Sequence, residues 1–340
     1  MRVVLSNTFG TAPLEIGAGH IALRDKDTAI VASSAKPLTV SGASTFSVLA
    51  GATVVSDPVD LTVAPVSDLV IDLYVPGDLG ISPSPVTTHN GASQTNFVSE
   101  TGNHSGAAAL PVSGRSGAWF MIARVEVMAP AGTGAVVTFG DSITDGARST
   151  ADTNNRWPDQ LARRLAGRKG AGVAVLNAGI SGNRVLGDGA GVSALARFDR
   201  DVLSRSGVKW VILLEGINDI NIRGRADGPD ALVAQDLIEG YTQIIALAHS
   251  HGIKVMGATI TPQEGVPTAT PRGESIRETV NAWIRTSRSF DALVDFDQVL
   301  RDPAHPSRIR AEFDPGDHIH PNDPGNQAMA DVFNLAVFKN

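Results

Sequence analysis

The sequence predicts two segments of different class. An all-β sandwich or jelly-roll-like domain over residues 1–130 precedes a three-layer α/β domain with a parallel sheet over residues 135–340. Three observations carry this. From Val136 onward, near-continuous apolar runs alternate with stretches of helical periodicity. Before residue 130 the apolar runs are short, β-branched and partly alternating, with turn formers between them. Charge is also uneven, with 16 charged residues in the first 130 and 47 in the remaining 210.

In the first segment the strand candidates are Met1–Ser6, Leu14–Ile16, Ile21–Leu23, Phe46–Leu49, Leu69–Val75 and Ile122–Val127. Gly17, Gly19, Ser41-Gly42, Gly51, Pro76-Gly77-Asp78 and Gly114 separate them. This spacing fits an all-β sandwich or jelly roll. The stretch from Gly80 to Gly106, rich in Ser, Thr, Asn, Gly and Pro, reads as a long connection. In the second segment the strand candidates are Val136–Phe139, Val173–Leu176, Trp210–Leu214, Lys254–Ala258 and Leu293–Asp295. Helical stretches run over Trp157–Leu165, Leu195–Leu203, Ala231–His249 and Glu274–Ser287, and a last helix is predicted over Gly325–Phe338. Such βαβ alternation gives a parallel sheet with right-handed crossovers. Ligands of these sheets bind beyond the carboxyl ends of the strands, so the chemistry is sought there.

Composition narrows the classes. At a rough ~150 residues per domain, 340 residues suggest two. A net charge of −7 argues against a surface built for nucleic-acid phosphates. With 42% hydrophobic and 19% charged residues the chain is composed like a folded protein. No apolar run approaches the ~20 residues of a membrane span. The absence of cysteine removes disulfides, thiolate metal sites and a thiol nucleophile. Met1–Ser6 reads as a strand and not as a leader. A secreted or periplasmic chain that had lost its leader would read the same, and a chain made without one would be cytoplasmic.

Three stretches follow the strand ends, and a fourth lies near the C-terminus. Gly140-Asp141-Ser142-Ile143-Thr144-Asp145-Gly146 puts a serine on a tight turn at the top of the sheet, as an exposed nucleophile or as a helix cap. Asn177–Arg184 carries Gly182, whose backbone either approaches a ligand or makes an ordinary turn. Its spacing and place do not fit a dinucleotide fingerprint. Glu215-Gly216-Ile217-Asn218-Asp219 offers an asparagine amide for an oxyanion, or an Asx turn. Asp314 to Asn322 contains Asp317 three residues before His320, a spacing at which the carboxylate can orient the imidazole. A metal site from Asp317, His318 and His320 is the competing reading, since in an extended segment the two histidines would face the same way.

Together and in this order, these stretches resemble the four blocks of the SGNH (GDSL-type) serine hydrolases: Gly140-Asp141-Ser142, Gly182, Gly216-Ile217-Asn218-Asp219, and Asp317 through His320. Ile143 stands where the family usually has leucine. The resemblance covers about residues 135–340 and implies a flavodoxin-like α/β/α sandwich. It implies Ser142 as nucleophile, His320 as general base and Asp317 as its orienter. The oxyanion hole it implies consists of the Ser142 and Gly182 backbone N–H groups and the Asn218 side chain. Arg2–Gly10 and Arg156-Trp157-Pro158-Asp159 further resemble a bacterial subgroup of esterases and arylesterases related to xylan-degradation acylhydrolases, in which a β-rich N-terminal domain comes first.

The expected function is a carboxylic-ester hydrolase without cofactor or metal. Its substrate would be a small or polysaccharide-linked short acyl ester, with O-acetyl esters included. Nucleic acid and a membrane span are not expected, and the sequence is silent on oligomeric state. Ile143, Ile217 and Ile319 are the candidate walls of a narrow acyl slot, with Ile180 and Ile220 beside them. Two rivals remain. One is a carbohydrate-binding or adhesion protein using Trp119, Tyr74, Phe97 and Phe120. The other is a metal-dependent phosphoesterase using Asp141, Asp145 and Asp219.

Overall fold

The computed structural model describes residues 1–168, 172–228 and 230–338. It divides into two compact units, Met1–Ala129 and Pro130–Asn340.

The first unit is strand-rich, and its sheets pair antiparallel. Arg2–Ser6 lies between Ile122–Glu126 and Thr53–Val55, and Ala18–Leu23 lies between Lys36–Pro37 and Leu69–Tyr74. Leu14–Ile16 pairs with Phe46–Val48. Alternation turns Leu14 and Ile16 inward and Glu15 outward, and the inward residues join Val3, Leu5, Ile21 and Val48 in one apolar core. The stretch read as a connection contains two strands, Thr88–His89 and Asn96–Ser99, paired with Trp119–Phe120 and Val112–Ser116. Asn and Ser carry little strand propensity, so the segment is held by its partner strand and by Arg115 over the Phe97 ring.

The second unit is built on five parallel strands: β1 (Gly134–Gly140), β2 (Val173–Gly179), β3 (Val208–Leu214), β4 (Lys254–Ala258) and β5 (Ala292–Val294). Their order is 2-1-3-4-5, the flavodoxin-like arrangement. All seven residues of β1 are buried, whereas β2 at the edge is half-buried. The order reverses direction at β1. Right-handed crossovers therefore send the helices before and after that point to opposite faces. The helices are α1 (Ser142–Asp145), α2 (Trp157–Ala166), α3 (Ala194–Phe198), α4 (Ile217–Arg223), α5 (Ala234–Ser250), α6 (Pro271–Thr286), α7 (Phe296–Leu300) and α8 (Asp323–Asp331). In one set α2 packs on α8 and α8 on α7; in the other α5 packs on α3 and α6. Among the described residues no helix is long and apolar enough to cross a membrane.

Three helices were not expected. α1, α4 and α7 span only one or two turns, too short to show a period. The helix expected over Gly325–Phe338 is in two pieces. α8 ends at Asp331, where the Arg164 guanidinium donates to the carbonyls of Ala330 and Phe333, and a 3₁₀ turn follows at Leu335–Phe338. The Leu195–Leu203 stretch likewise passes from α3 into a π turn at Asp199–Leu203.

Candidate active site

The register aligns the carboxyl ends of β2, β1 and β3, three neighbouring strands, with Gly140 opposite both Gly179 and Leu214. The three loops that follow therefore emerge side by side, at the point where strand order reverses.

After β1, a side chain at position 140 would collide with Thr144 Oγ1 at 2.2 Å and the Leu214 carbonyl at 2.5 Å, so only glycine fits. Asp141 then caps α1, its Oδ1 accepting the Ile143 N–H at 3.0 Å. The helix-cap reading of Ser142 gives way at this point. Asp141 is the cap, and Ser142 is the first helical residue. Its Oγ lies 2.8 Å from His320 Nε2.

After β2, Gly179 packs against the backbone of Asp145, where a β-carbon would sit 2.3 Å from its nitrogen. Asp145 Oδ2 accepts from Ser181 N at 3.0 Å and Ser181 Oγ at 2.6 Å. Gly182 follows at φ +79°, a conformation that favours glycine, and a β-carbon would also strike Ala190. Among the described residues, neither the Gly182 nor the Ser142 backbone N–H is used by another group.

After β3, Gly216 turns the chain at φ +109° into α4. Asn218 Nδ2 donates to the Asn183 carbonyl at 2.9 Å, and Asp219 accepts from Val185 N at 2.8 Å and Leu186 N at 3.1 Å. This loop thus braces the one carrying Gly182. Asn218 has one further amide hydrogen to give.

The last part comes from the far end of the chain. Asp323 accepts from Thr150 N and Asn155 Nδ2, and Asn326 Oδ1 accepts from Trp157 N. These contacts pin the segment before α8 over α1. In it, His320 Nδ1 lies 2.9 Å from Asp317 Oδ2, while Asp317 Oδ1 accepts the His320 N–H at 3.1 Å. Ser142, His320 and Asp317 therefore form one hydrogen-bonded chain. Burial opposes ionisation of Asp317, but hydrogen bonds from His320 and Arg148 hold its carboxyl well below the usual range.

Both metal readings meet geometric objections. His318 sits at φ +64°, so the segment is not extended there, and its Nδ1 pairs with Asp314 Oδ2 at 2.6 Å, apart from His320. Asp141, Asp145 and Asp219 each hold loop N–H groups, as described above. Among the described residues, no three His, Asp or Glu side chains are grouped to hold a metal ion.

The acyl-slot residues need correction. Ile143 and Ile217 are each 1% exposed and belong to the central core, as does Ile220. A position directly after a tight turn packs inward against the sheet, which adjacency in sequence to the serine and asparagine does not reveal. Ile319 and Ile180 are half-buried.

Arg197 and Arg148 were not foreseen. Arg197 is fully buried and stacked over Phe139. It donates to the carbonyls of Gly140 and Ala178, to Asn183 Oδ1, and to Glu215 Oε1 at 3.3 Å, tying the ends of β1, β2 and β3 together. Beneath the site, burial drives the carboxyls of Asp141, Glu215 and Asp219 upward, and their mutual repulsion adds to it for Asp141 and Glu215.

The sequence profile of the GDSL-like Lipase/Acylhydrolase family matches residues 138–328. This chain belongs to that family and is a serine esterase, which sets aside the binding-protein and phosphoesterase readings of the whole molecule. No curated protein matches it. Among solved structures, it is similar to the native aryl esterase of M. smegmatis, at 18% identity and TM-score 0.46, over 60% of this chain and 98% of that one. It is also similar to Est24, a carbohydrate acetylesterase from Sinorhizobium meliloti, at 17% identity and TM-score 0.45, over 58% and 94%. A third is a GDSL-like lipase from Bacteroides thetaiotaomicron, at 20% identity and TM-score 0.44, over 60% and 87%.

Proposed function

We propose that the protein hydrolyses short-chain acyl esters, O-acetyl esters among them, through an acyl-enzyme on Ser142. The observation that carries this reading is the chain from Asp317 Oδ2 through His320 to Ser142 Oγ, with links of 2.9 and 2.8 Å. His320 takes the Ser142 proton as Oγ attacks the ester carbonyl, and Asp317, kept ionised, stabilises the imidazolium that forms. The oxyanion is held by the N–H groups of Ser142 and Gly182 and by the Asn218 amide. His320 returns the proton to the departing alcohol, then activates water to release the acid. Residues 1–130 act as an accessory domain to the hydrolase at 135–340.

The preference for short acyl groups is inferred from the loss of three of the five isoleucines beside the site to the core, which leaves Ile180 and Ile319. Each buried methylene of a long chain needs apolar contact to yield its ~0.8 kcal/mol. Here Ile143, Ile217 and Ile220 are buried in the core, and the contacts that lead away from the serine run through the polar groups of His320, Asp317 and Arg148. A panel of p-nitrophenyl esters from acetyl to decanoyl, with acetylated xylan alongside, tests this. Turnover should peak at acetyl to butyryl, and faster turnover on decanoyl would overturn it.

A further inference from the structure

One oxygen of Asp317 serves two partners. His320 Nδ1 lies 2.9 Å from Oδ2, and Arg148 Nε donates to the same Oδ2 at 2.7 Å. Arg148 comes from the segment after α1, where the chain reverses at Gly146 (φ +99°) and Arg148 itself adopts φ +67°. A residue with a β-carbon adopts that conformation at a cost. An ion pair whose arginine is 60% exposed adds little stability. Stability is therefore a poor account of a strained backbone that aims a guanidinium at this oxygen.

We propose that Arg148 is a positioning residue that sets the basicity of His320 through the shared Asp317 oxygen, keeping the imidazole unprotonated to lower pH. The inference rests on the reading of His320 as general base. A carboxylate beside an imidazole favours the imidazolium. A guanidinium bound to the same carboxylate oxygen draws on that negative charge and adds a positive charge nearby. Both effects disfavour the imidazolium, so the active neutral base persists further into acid. The other charged groups on the elements around His320 have partners of their own. Asp314 is paired with His318, and Glu264, in the loop beside His318, with Arg308. Asp145 is bound to Ser181, and Asp323 to Thr150 and Asn155. Among the described residues, Arg148 is the cation paired with Asp317 besides His320 itself.

The test compares full-length wild type with Arg148→Met and Arg148→Lys, following kcat/KM on p-nitrophenyl acetate from pH 4.5 to 9. In Arg148→Met the acid limb should move up by roughly 0.5–1 pH unit, while the plateau above pH 8 stays within about threefold. Arg148→Lys, which keeps the charge, should move it by less than half as much. The pH profile of inactivation by a fluorophosphonate should shift in the same direction, because it reports serine activation without deacylation. A purely structural role would depress the plateau at every pH and leave the midpoint in place. That result, or a limb that moves to lower pH, would overturn the proposal. Retained activity in Ser142→Ala would strike instead at the assignment of nucleophile and base on which it rests.

Discussion

The rim and the floor of the site treat carboxylates in opposite ways. On the rim, Asp314, Asp317 and Asp323 are each held below the usual carboxylate range, because hydrogen bonds from N–H groups and partner side chains outweigh partial burial. On the floor, Asp141, Glu215 and Asp219 are raised, because burial outweighs the donors they have. The same side-chain chemistry thus yields two functions. An ionised carboxylate at the rim can stabilise a cation that forms during turnover. A buried one serves as scaffold, as Asp141 does by capping α1 and Asp219 by holding Val185 and Leu186. The rim also contains its own control, the His318–Asp314 and His320–Asp317 pairs, whose histidines stand two residues apart. Among the described residues, only the second lies within hydrogen-bond distance of a serine.

Substitutions on the rim should have the largest effect. Ser142→Ala and His320→Ala should each lose roughly 10⁴–10⁶ in kcat, and Asp317→Asn about 10⁴, with urea midpoints near wild type. An Asp317→Asn variant within tenfold of wild type would erase the functional difference between rim and floor. Next in size is Asn218→Ala, which removes one of three oxyanion donors and should cost ~10²–10³ in kcat with little change in KM.

The floor should register in stability and not in rate. The Glu215 carboxyl is raised above its ordinary 4.5, so the folded state holds a proton that the unfolded state releases. Its stabilisation is complete below 4.5 and declines as pH rises through the raised value. Glu215→Gln should therefore flatten the fall in stability above pH 4.5, by up to about 1.4 kcal/mol per pH unit, in urea titrations at pH 5, 6, 7 and 8. A steeper slope in the variant would contradict the sign. The smallest effect belongs to the second pair. His318→Gln breaks an exposed contact and should change kcat by less than about threefold and stability by ~0.2–1 kcal/mol. A loss comparable to that of His320→Ala would show that the two pairs act as one.

Much of this site was legible in the sequence because three of its loops follow strand ends. Apolar runs such as Trp210–Leu214 mark the strands, and the polar residue after each run falls in the cleft by topology alone. Ser142, Gly182 and Asn218 lie in loops that follow such strands, whereas Asp317 and His320 lie in the segment before α8 and are legible from their spacing. What sequence could not reveal was partnership across the chain. Arg197 reads as an ordinary helical arginine, and Arg148 as a loop residue. Their roles come from carbonyls and a carboxylate that only folding brings near, 169 residues distant for Arg148 and Asp317. Sidedness failed for a related reason. Ile143 and Ile217 adjoin the chemistry in sequence, yet a tight turn points successive residues in different directions, and these two point into the core.

The central claim is that Ser142 is the activated nucleophile, and covalent labelling tests it most directly. The folded protein is treated with a fluorophosphonate and the modified peptide is mapped by mass spectrometry. The account predicts a single adduct on Ser142, formed more slowly in His320→Ala, still formed in Asn218→Ala, and absent from Ser142→Ala. An adduct on another serine, or undiminished labelling of the Ser142→Ala variant, would contradict it.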